Sequence, residues 1–198
     1  MPLKIAAFPI GHARVQNAGK TVGRRGTMAM SESTVIRDAQ PGADDDAVVL
    51  LMTDYMTWAH ERLANEFGVH EPPADPAEIR HHLDDYRPPK GRLLLAECEG
   101  KPAGVGALRM LSDEIAEIKR MYVAPDWRDR HLGSAILDRL LEEARSRRSR
   151  IVRLDTCRFM TDAQRLYRSR AFAERPPYEG TEIPTRIQQY WIFFERML

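Results

Sequence analysis

Residues 116–145, AEIKRMYVAPDWRDRHLGSAILDRLLEEAR, decide the fold because they join a strand to a helix through a short charged loop. The run from Glu117 to Val123 is rich in apolar and aromatic residues typical of a strand, and Pro125 ends it because proline cannot donate to a ladder. From Leu132 the apolar residues recur every three or four positions, which is the spacing of an amphipathic helix. Its apolar stripe comprises Leu132, Ile136, Leu137, Leu140, Leu141 and Ala144.

The loop between strand and helix, RDRHLGS at residues 128–134, has the composition of an anion site. Free backbone amides and the helix dipole favour a pyrophosphate at a helix N-terminus, and Arg128 and Arg130 add positive charge. The alternative is a solvated turn in which Gly133 serves only tight packing. An arginine five residues before a glycine does not by itself separate the two interpretations.

The whole segment resembles the acyl-CoA-binding motif of the GNAT superfamily of N-acetyltransferases. In that motif a strand ending in V-x-P leads to [Q/R]-x-x-G-x-[G/A] at a helix N-terminus. Arg128 and Gly133 match, whereas His131 stands where the family has its first glycine, and a Cβ there would crowd a closely approaching phosphate. The resemblance implies an acyl-CoA site made by Met121, Tyr122, Val123, Arg128, Arg130, His131, Leu132, Gly133, Ser134 and Ala135.

Residues 154–172 carry a second similarity to this family. Ala163, Leu166 and Tyr167 share one helix face because they lie at i, i+3 and i+4. They match the family pattern A-x-x-L-Y-x-x-x-G-F, except that Ala171 replaces its glycine. In the family that tyrosine lies beside the thioester sulfur, so the resemblance implies Tyr167 as the acid that meets the departing thiolate. On spacing alone, a core aromatic is the more common interpretation.

Glu117 is the candidate general base, on the same resemblance. It heads the central strand eleven residues before Arg128, and some protein-acetylating members of the family carry their base at the matching place. The alternative is a strand-end carboxylate paired with Lys119 or Arg120. The two cysteines, which have no histidine near them in sequence, are interpreted as structural thiols.

Composition excludes several other functions. A chain of 198 residues with 43% hydrophobic content predicts one core, and a formal net charge of +1 gives no general attraction to nucleic acid. No apolar run approaches the roughly 20 residues of a membrane helix. Two distant cysteines and scattered histidines predict neither a disulfide framework nor a metal site. We therefore expect a cytoplasmic protein without a metal, nucleic acid or membrane partner.

The chain divides into a tail and one domain. Residues 1–30 contain basic residues but no acid and no sustained periodicity, which predicts a disordered basic tail, and the domain is expected at 31–198. A short strand is followed by a helix that Asp44 can cap and Gly68 ends, and a second helix is predicted from Pro76 to about Tyr86. Three polar positions near the end of the first helix could face a substrate, but a solvated helix surface is the favoured interpretation: His60, Glu61 and Asn65.

The remaining strands define the expected sheet. Residues 93–98 and 103–111 form a hairpin that continues into the central strand, so strands two, three and four should be an antiparallel meander. Residues 151–156 follow strand four through a long helix and therefore run parallel to it, and residues 190–194 form a buried terminal strand. We expect a single α/β (α+β) GNAT-like domain with a mixed, mostly antiparallel sheet, strands four and five parallel and splayed, and helices on both faces.

The resemblance implies an N-acetyltransferase that moves an acetyl group from acetyl-CoA, its co-substrate, to a primary amine by direct attack through a ternary complex. The alternative is an acyl-CoA-binding regulator with a GNAT fold and no turnover, which His131 and Ala171 would allow. A small-molecule amine and a protein amine both remain open as acceptors, and a homodimer is compatible with the sequence.

Overall fold

A computed structural model describes residues 33–198, which form one seven-stranded sheet with helices on both faces. The expected tail at residues 1–30 and the exact start of the domain lie outside the described residues. None of the helices within residues 33–198 combines the length and the apolar character needed to cross a membrane.

The strands and helices follow one another largely as the sequence predicts. Their bounds are β1 Thr34–Asp38, α1 Asp45–Phe67, α2 Pro76–His81, β2 Gly91–Cys98, β3 Lys101–Met110, β4 Ile115–Val123, α3 Leu132–Ser146, β5 Ile151–Cys157, α4 Thr161–Ser169, β6 Ala173–Arg175 and β7 Trp191–Met197. The strand order is β1-β2-β3-β4-β5-β7-β6. Within this sheet β4 and β5 are parallel, and the other neighbouring pairs are antiparallel. The predicted meander and mixed sheet are confirmed.

Three local features differ from the sequence-based expectations. The second helix ends at His81 and is followed by a 3₁₀ turn at Leu83–Tyr86, so the predicted single helix is two shorter pieces. Asp44 occupies the N-cap position of α1, but its side chain makes no capping hydrogen bond, because its carboxylate instead accepts from Arg37 and from the Gln40 amide. Strand β6 has only three residues and carried no detectable pattern in the sequence.

Each face of the sheet has its own core, because side chains alternate along a strand. Leu94 and Ala96 of β2 pack with α3, whereas Leu93 and Leu95 pack with α1 and α2. At Gly106 of β3, an added Cβ would lie 2.4 Å from Ile136 Cγ2. The sheet backbone and α3 are therefore in direct contact, and this contact fixes the position of the helix.

The parallel strands separate where the expected cleft lies. Pairing between β4 and β5 ends at Glu117 with Arg153. Beyond that point β4 stays paired with β3 as far as Val123, and β5 stays paired with β7 as far as Cys157. Each strand is thus held by its outer neighbour while the space between the two opens. The predicted splay of strands four and five is confirmed.

Both positions at which the sequence departs from the family glycines have a left-handed backbone. His131 precedes α3 with φ 59°, and Ala171 follows α4 with φ 60°. The Ala171 amide donates to the carbonyl O of Arg168, so this conformation closes the end of the helix. A left-handed residue other than glycine costs roughly 1–2 kcal/mol. Both positions therefore have the backbone conformation that glycine favours, although neither residue is a glycine.

Replacing Ala171 by glycine should raise the free energy of unfolding by about 1 kcal/mol, because the steric cost of the Cβ at positive φ disappears. Chemical denaturation measures the change. Ala173 is the matched control: it is also exposed but lies in β6, where glycine should lower the unfolding free energy by about 0.5–1 kcal/mol. A loss of stability in Ala171→Gly would contradict this account of the helix end.

Candidate active site

The gap between β4 and β5 opens into a cavity of about 250 Å³, here called the cleft. One face of α1 supplies much of its apolar wall, because Tyr55, Met56, Ala59 and Leu63 recur at helical spacing. Further apolar and aromatic side chains come from α4 and from the segments that flank it and β7: Phe159, Met160, Ala163, Ile183, Ile187 and Trp191. The cleft thus combines an apolar and aromatic wall with a set of charged side chains.

A β-bulge in β4 turns several consecutive side chains toward the cleft. The register shifts between Val105, which pairs with Tyr122, and Ala107, which pairs with Lys119. The intervening Arg120 has φ 57°, and such a bulge re-aims side chains that would otherwise alternate between faces. Lys119, Arg120 and Met121 accordingly all line the cleft. A regular strand would have sent the middle residue to the other face.

Lys119 is at the centre of the charged side chains of the cleft. Its Nζ lies 3.2 Å from an Asp155 oxygen, 3.3 Å from Glu182 and 3.9 Å from Glu117, and only 6% of its side chain is exposed. Burial lowers the pKa of Lys119, but these carboxylates outweigh it and hold the pKa above its ordinary value. Burial likewise raises the pKa of Glu182, while Lys119, Arg109 and Arg120 lower it by more. Lys119 and Glu182 therefore both stay charged at neutral pH.

Glu117, the candidate base, lies behind Lys119 and is fully buried. One oxygen accepts from the Arg109 Nε at 2.6 Å, and the other accepts from the Tyr178 hydroxyl at 2.7 Å. Its side chain does not belong to the lining of the cleft among the described residues. The sequence leaves open a pairing of Glu117 with Lys119 or Arg120. The structure places Lys119 near Glu117, whereas Arg120 pairs with Glu182 at 3.9 Å.

Tyr167 reaches the cleft from α4, next to Ala163. Its ring packs edge-on against Phe172 and Phe194, with ring centroids 6.0 Å and 5.9 Å away. Burial, with smaller contributions from Tyr55 and Asp155, raises the pKa of Tyr167, so its hydroxyl stays protonated. Within residues 33–198 that hydroxyl has no hydrogen-bond partner. The ring is a core aromatic and the hydroxyl is a donor open to a ligand, so the core interpretation is confirmed and the acid role implied by the resemblance stays a prediction.

The N-terminus of α3 lies at the mouth of the cleft. Ala135 is the first residue of the helix whose amide finds a carbonyl, that of His131 at 3.1 Å, and the amides of Leu132, Gly133 and Ser134 donate to no acceptor among the described residues. A Cβ on Gly133 would be 3.7 Å from Leu166 and 4.0 Å from Val123, both ordinary contacts. Packing therefore does not require glycine here, which weakens the interpretation of the loop as a tightly packed turn.

The two loop arginines point to different places. Arg128 donates to the carbonyl O of Val123 at 3.3 Å, so it lies at the end of β4 beside the cleft mouth. Arg130 lies over the Trp127 ring at 4.9 Å and 3.8 Å from Glu99, in the β2–β3 turn. Two predicted binding residues have buried side chains that belong to the cores, Tyr122 and Leu132. The structure thus places Arg128 and Gly133 beside Val123 at the end of β4, and Arg130 beside the β2–β3 turn.

Several residues of the cleft were missed by sequence reasoning. His60 was expected on the solvated surface of α1, but this expectation was wrong: it lines the cleft, and its Nδ1 is buried with no hydrogen-bond partner among the described residues. Glu61 and Asn65 are exposed as expected. Asp155 was detectable in principle, because a carboxylate stands out in a strand that is otherwise mostly apolar. Glu182 follows no periodic pattern and gave no signal.

Comparison with known proteins shows which family the chain is similar to. The model of the acetyltransferase (GNAT) family matches residues 54–172, which include most of α1, the bulge, the α3 loop and Tyr167. The chain is 34% identical over 106 residues to an IAA acetyltransferase of Azospirillum brasilense, covering 52% of this chain and 69% of that protein. It is 30% identical over 112 residues to an uncharacterized N-acetyltransferase of Schizosaccharomyces pombe, covering 56% and 69%.

Solved structures share the fold. An acetyltransferase from Streptococcus agalactiae superposes with a TM-score of 0.66 at 18% identity, covering 83% of this chain and 98% of that chain. An acetyltransferase from Salmonella typhimurium, solved with its cofactor acetyl-CoA, gives a TM-score of 0.61 at 18% identity, covering 83% and 94%. The relatives found by sequence are named acetyltransferases, which favours an enzyme over a non-catalytic regulator. Because the family match spans the elements that build the cleft, the chain belongs to the acetyltransferase (GNAT) family and is an N-acetyltransferase.

Proposed function

We propose that acetyl-CoA binds across the mouth of the cleft and that an amine held inside the cleft attacks its thioester directly. The observation that carries this proposal is the juxtaposition of a helix N-terminus with unused amides and an opening between splayed strands. The amides of residues 132–134 suit a pyrophosphate, since a helix N-terminus carries partial positive charge. The thioester then lies between β4 and β5, within reach of Tyr167.

The attacking amine must be neutral, so its proton has to leave. We propose Asp155 as the acceptor, because it lines the cleft and Lys119 contacts its Oδ2, which leaves the other oxygen for the amine. Glu117, the base that the sequence suggests, reaches the cleft only through Lys119. In this arrangement Glu117 positions Lys119, Arg109 and Tyr178. The amine nitrogen forms the new bond to the acetyl carbon while the carbon–sulfur bond breaks, and the Tyr167 hydroxyl donates to the departing thiolate.

Gly133→Ala should weaken acetyl-CoA binding without loss of stability. The added methyl makes only ordinary contacts with the protein, and alanine is the better helix former by about 0.5–1 kcal/mol, so the melting temperature should hold or rise. The same methyl stands where the backbone must approach the phosphates, so affinity measured by calorimetry should fall. Glu142→Ala, exposed on the same helix, should leave affinity unchanged. Unaltered affinity in Gly133→Ala would place the phosphates elsewhere.

Tyr167→Phe should lower kcat by roughly 10²-fold, the low end for general acid catalysis. The substitution keeps the ring that packs on Phe172 and Phe194, so the melting temperature and acetyl-CoA affinity should stay close to those of the parent. Release of free CoA thiol at saturating amine measures the rate. A variant as fast as the parent would mean that water protonates the thiolate.

The two carboxylates are separated by what each variant loses. Asp155→Asn should lower kcat by roughly 10²-fold or more, because the variant has no carboxylate to accept the amine proton. Glu117→Gln should lower kcat far less but lower the unfolding free energy by about 3–5 kcal/mol, since it breaks a buried ion pair with Arg109. A larger loss of kcat in Glu117→Gln than in Asp155→Asn would make Glu117 the acceptor, through Lys119.

A further inference from the structure

Arg120 lines the cleft, and its guanidinium has more N–H donors than the described residues provide polar contacts for. Its guanidinium contacts the carboxylate of Glu182 at 3.9 Å, and within residues 33–198 it makes no hydrogen bond. Arg109, close to the same network, donates to Glu117, to Glu182 and to the carbonyl O of Gly180. A guanidinium carries five donors in a planar fork that matches a carboxylate. Arg120 therefore has donor capacity that the protein itself does not use.

Each carboxylate that lines the cleft has a nearer cation than Arg120. Asp155 and Glu182 each lie within 3.3 Å of the Lys119 ammonium, and Glu71 lies 2.8 Å from Arg186. Arg120 is also held in place, because the bulge fixes its backbone at φ 57° and only 30% of its side chain is exposed. The cleft thus presents one fixed guanidinium with N–H donors that residues 33–198 leave unused. This arrangement fits a ligand with a planar acceptor such as a carboxylate.

The proposed reaction requires that the same ligand carry an amine. On that basis we propose that the acceptor is a free α-amino acid with an apolar side chain, whose carboxylate is bound by the Arg120 guanidinium. Its amine then faces Asp155 and the thioester, and its side chain packs on the wall formed by Tyr55, Met56 and Trp191. A cavity of about 250 Å³ suits a small molecule. This inference rests on the proposed function, which supplies the acetyl donor.

The test is a comparison of substrates on two enzymes. Phenylalanine, phenylalaninamide and phenethylamine share a side chain and an amine, but only the first has a carboxylate, and the amide also represents a peptide N-terminus. Their kcat/KM values, expressed per neutral amine, are measured by CoA thiol release for the parent and for Arg120→Gln. A hydrogen bond between charged groups is worth roughly 10–100-fold. The parent should therefore prefer phenylalanine by that factor, and Arg120→Gln should lose the preference while its rates with the other two stay near those of the parent.

Two further variants keep the result interpretable. Arg120→Lys retains the charge but not the fork, so it should restore part of the preference and show that the loss does not come from misfolding. Arg165→Gln removes an exposed arginine of α4 that pairs with Asp162, outside the cleft, and should keep the preference intact.

Equal rates for phenylalanine and phenethylamine in the parent would overturn this inference and leave acetyl transfer standing. A preference that survives in Arg120→Gln would overturn it too, because another group would then bind the carboxylate. Failure of all three amines would exclude a small aromatic acceptor. Calorimetry with acetyl-CoA distinguishes that outcome from failure of the proposed function. If the chain binds no acetyl-CoA, the proposed function itself is wrong, because no acetyl donor is bound.

Discussion

The rest of the structure depends on the point at which β4 and β5 stop pairing. Up to Glu117 the two strands are ordinary neighbours in a sheet, and beyond it each continues with only its outer partner. Unpaired backbone groups and charged side chains would be costly in a closed core. Here the cost is limited because the separation occurs beside a network of cations and carboxylates, with Glu117 buried between Arg109 and Tyr178. Lys119 of β4 also pairs with Asp155 of β5 across the opening, so the network fixes the place at which the strands separate.

The parts of the fold that local physics dictates were predictable. Helical spacing from Leu132, the stop at Gly68 and the Glu99-Gly100 reversal, in which both residues adopt positive φ, are all local features. The splay followed from topology, since a long helix between two strands makes them parallel. The three-residue β6 and the break after His81 were not predictable, because neither element is long enough to carry a period.

The cleft was predictable on one side only. The donor side consists of one continuous segment from β4 to α3, so its residues could be found together in the sequence. The opposite side is assembled from α1, Asp155 and the segment around Glu182, which meet only after folding. His60 illustrates the difficulty: a polar residue near the end of an amphipathic helix is usually solvated, and only the packing of α1 over the cleft places it inside.

The contact between Gly106 and α3 has a consequence for how such a protein can change. Because Ile136 packs directly against the β3 backbone, the start of α3 and the bulge opposite Gly106 cannot shift independently without a clash. Among the described residues, the cleft walls supplied by α1 and by the segment before β7 make no such contact with Gly106. Substitutions in those walls can therefore change the shape of the cleft while the spacing between α3 and β4 stays the same, so that, under the proposed function, selectivity for the amine can change during evolution while the donor site is kept.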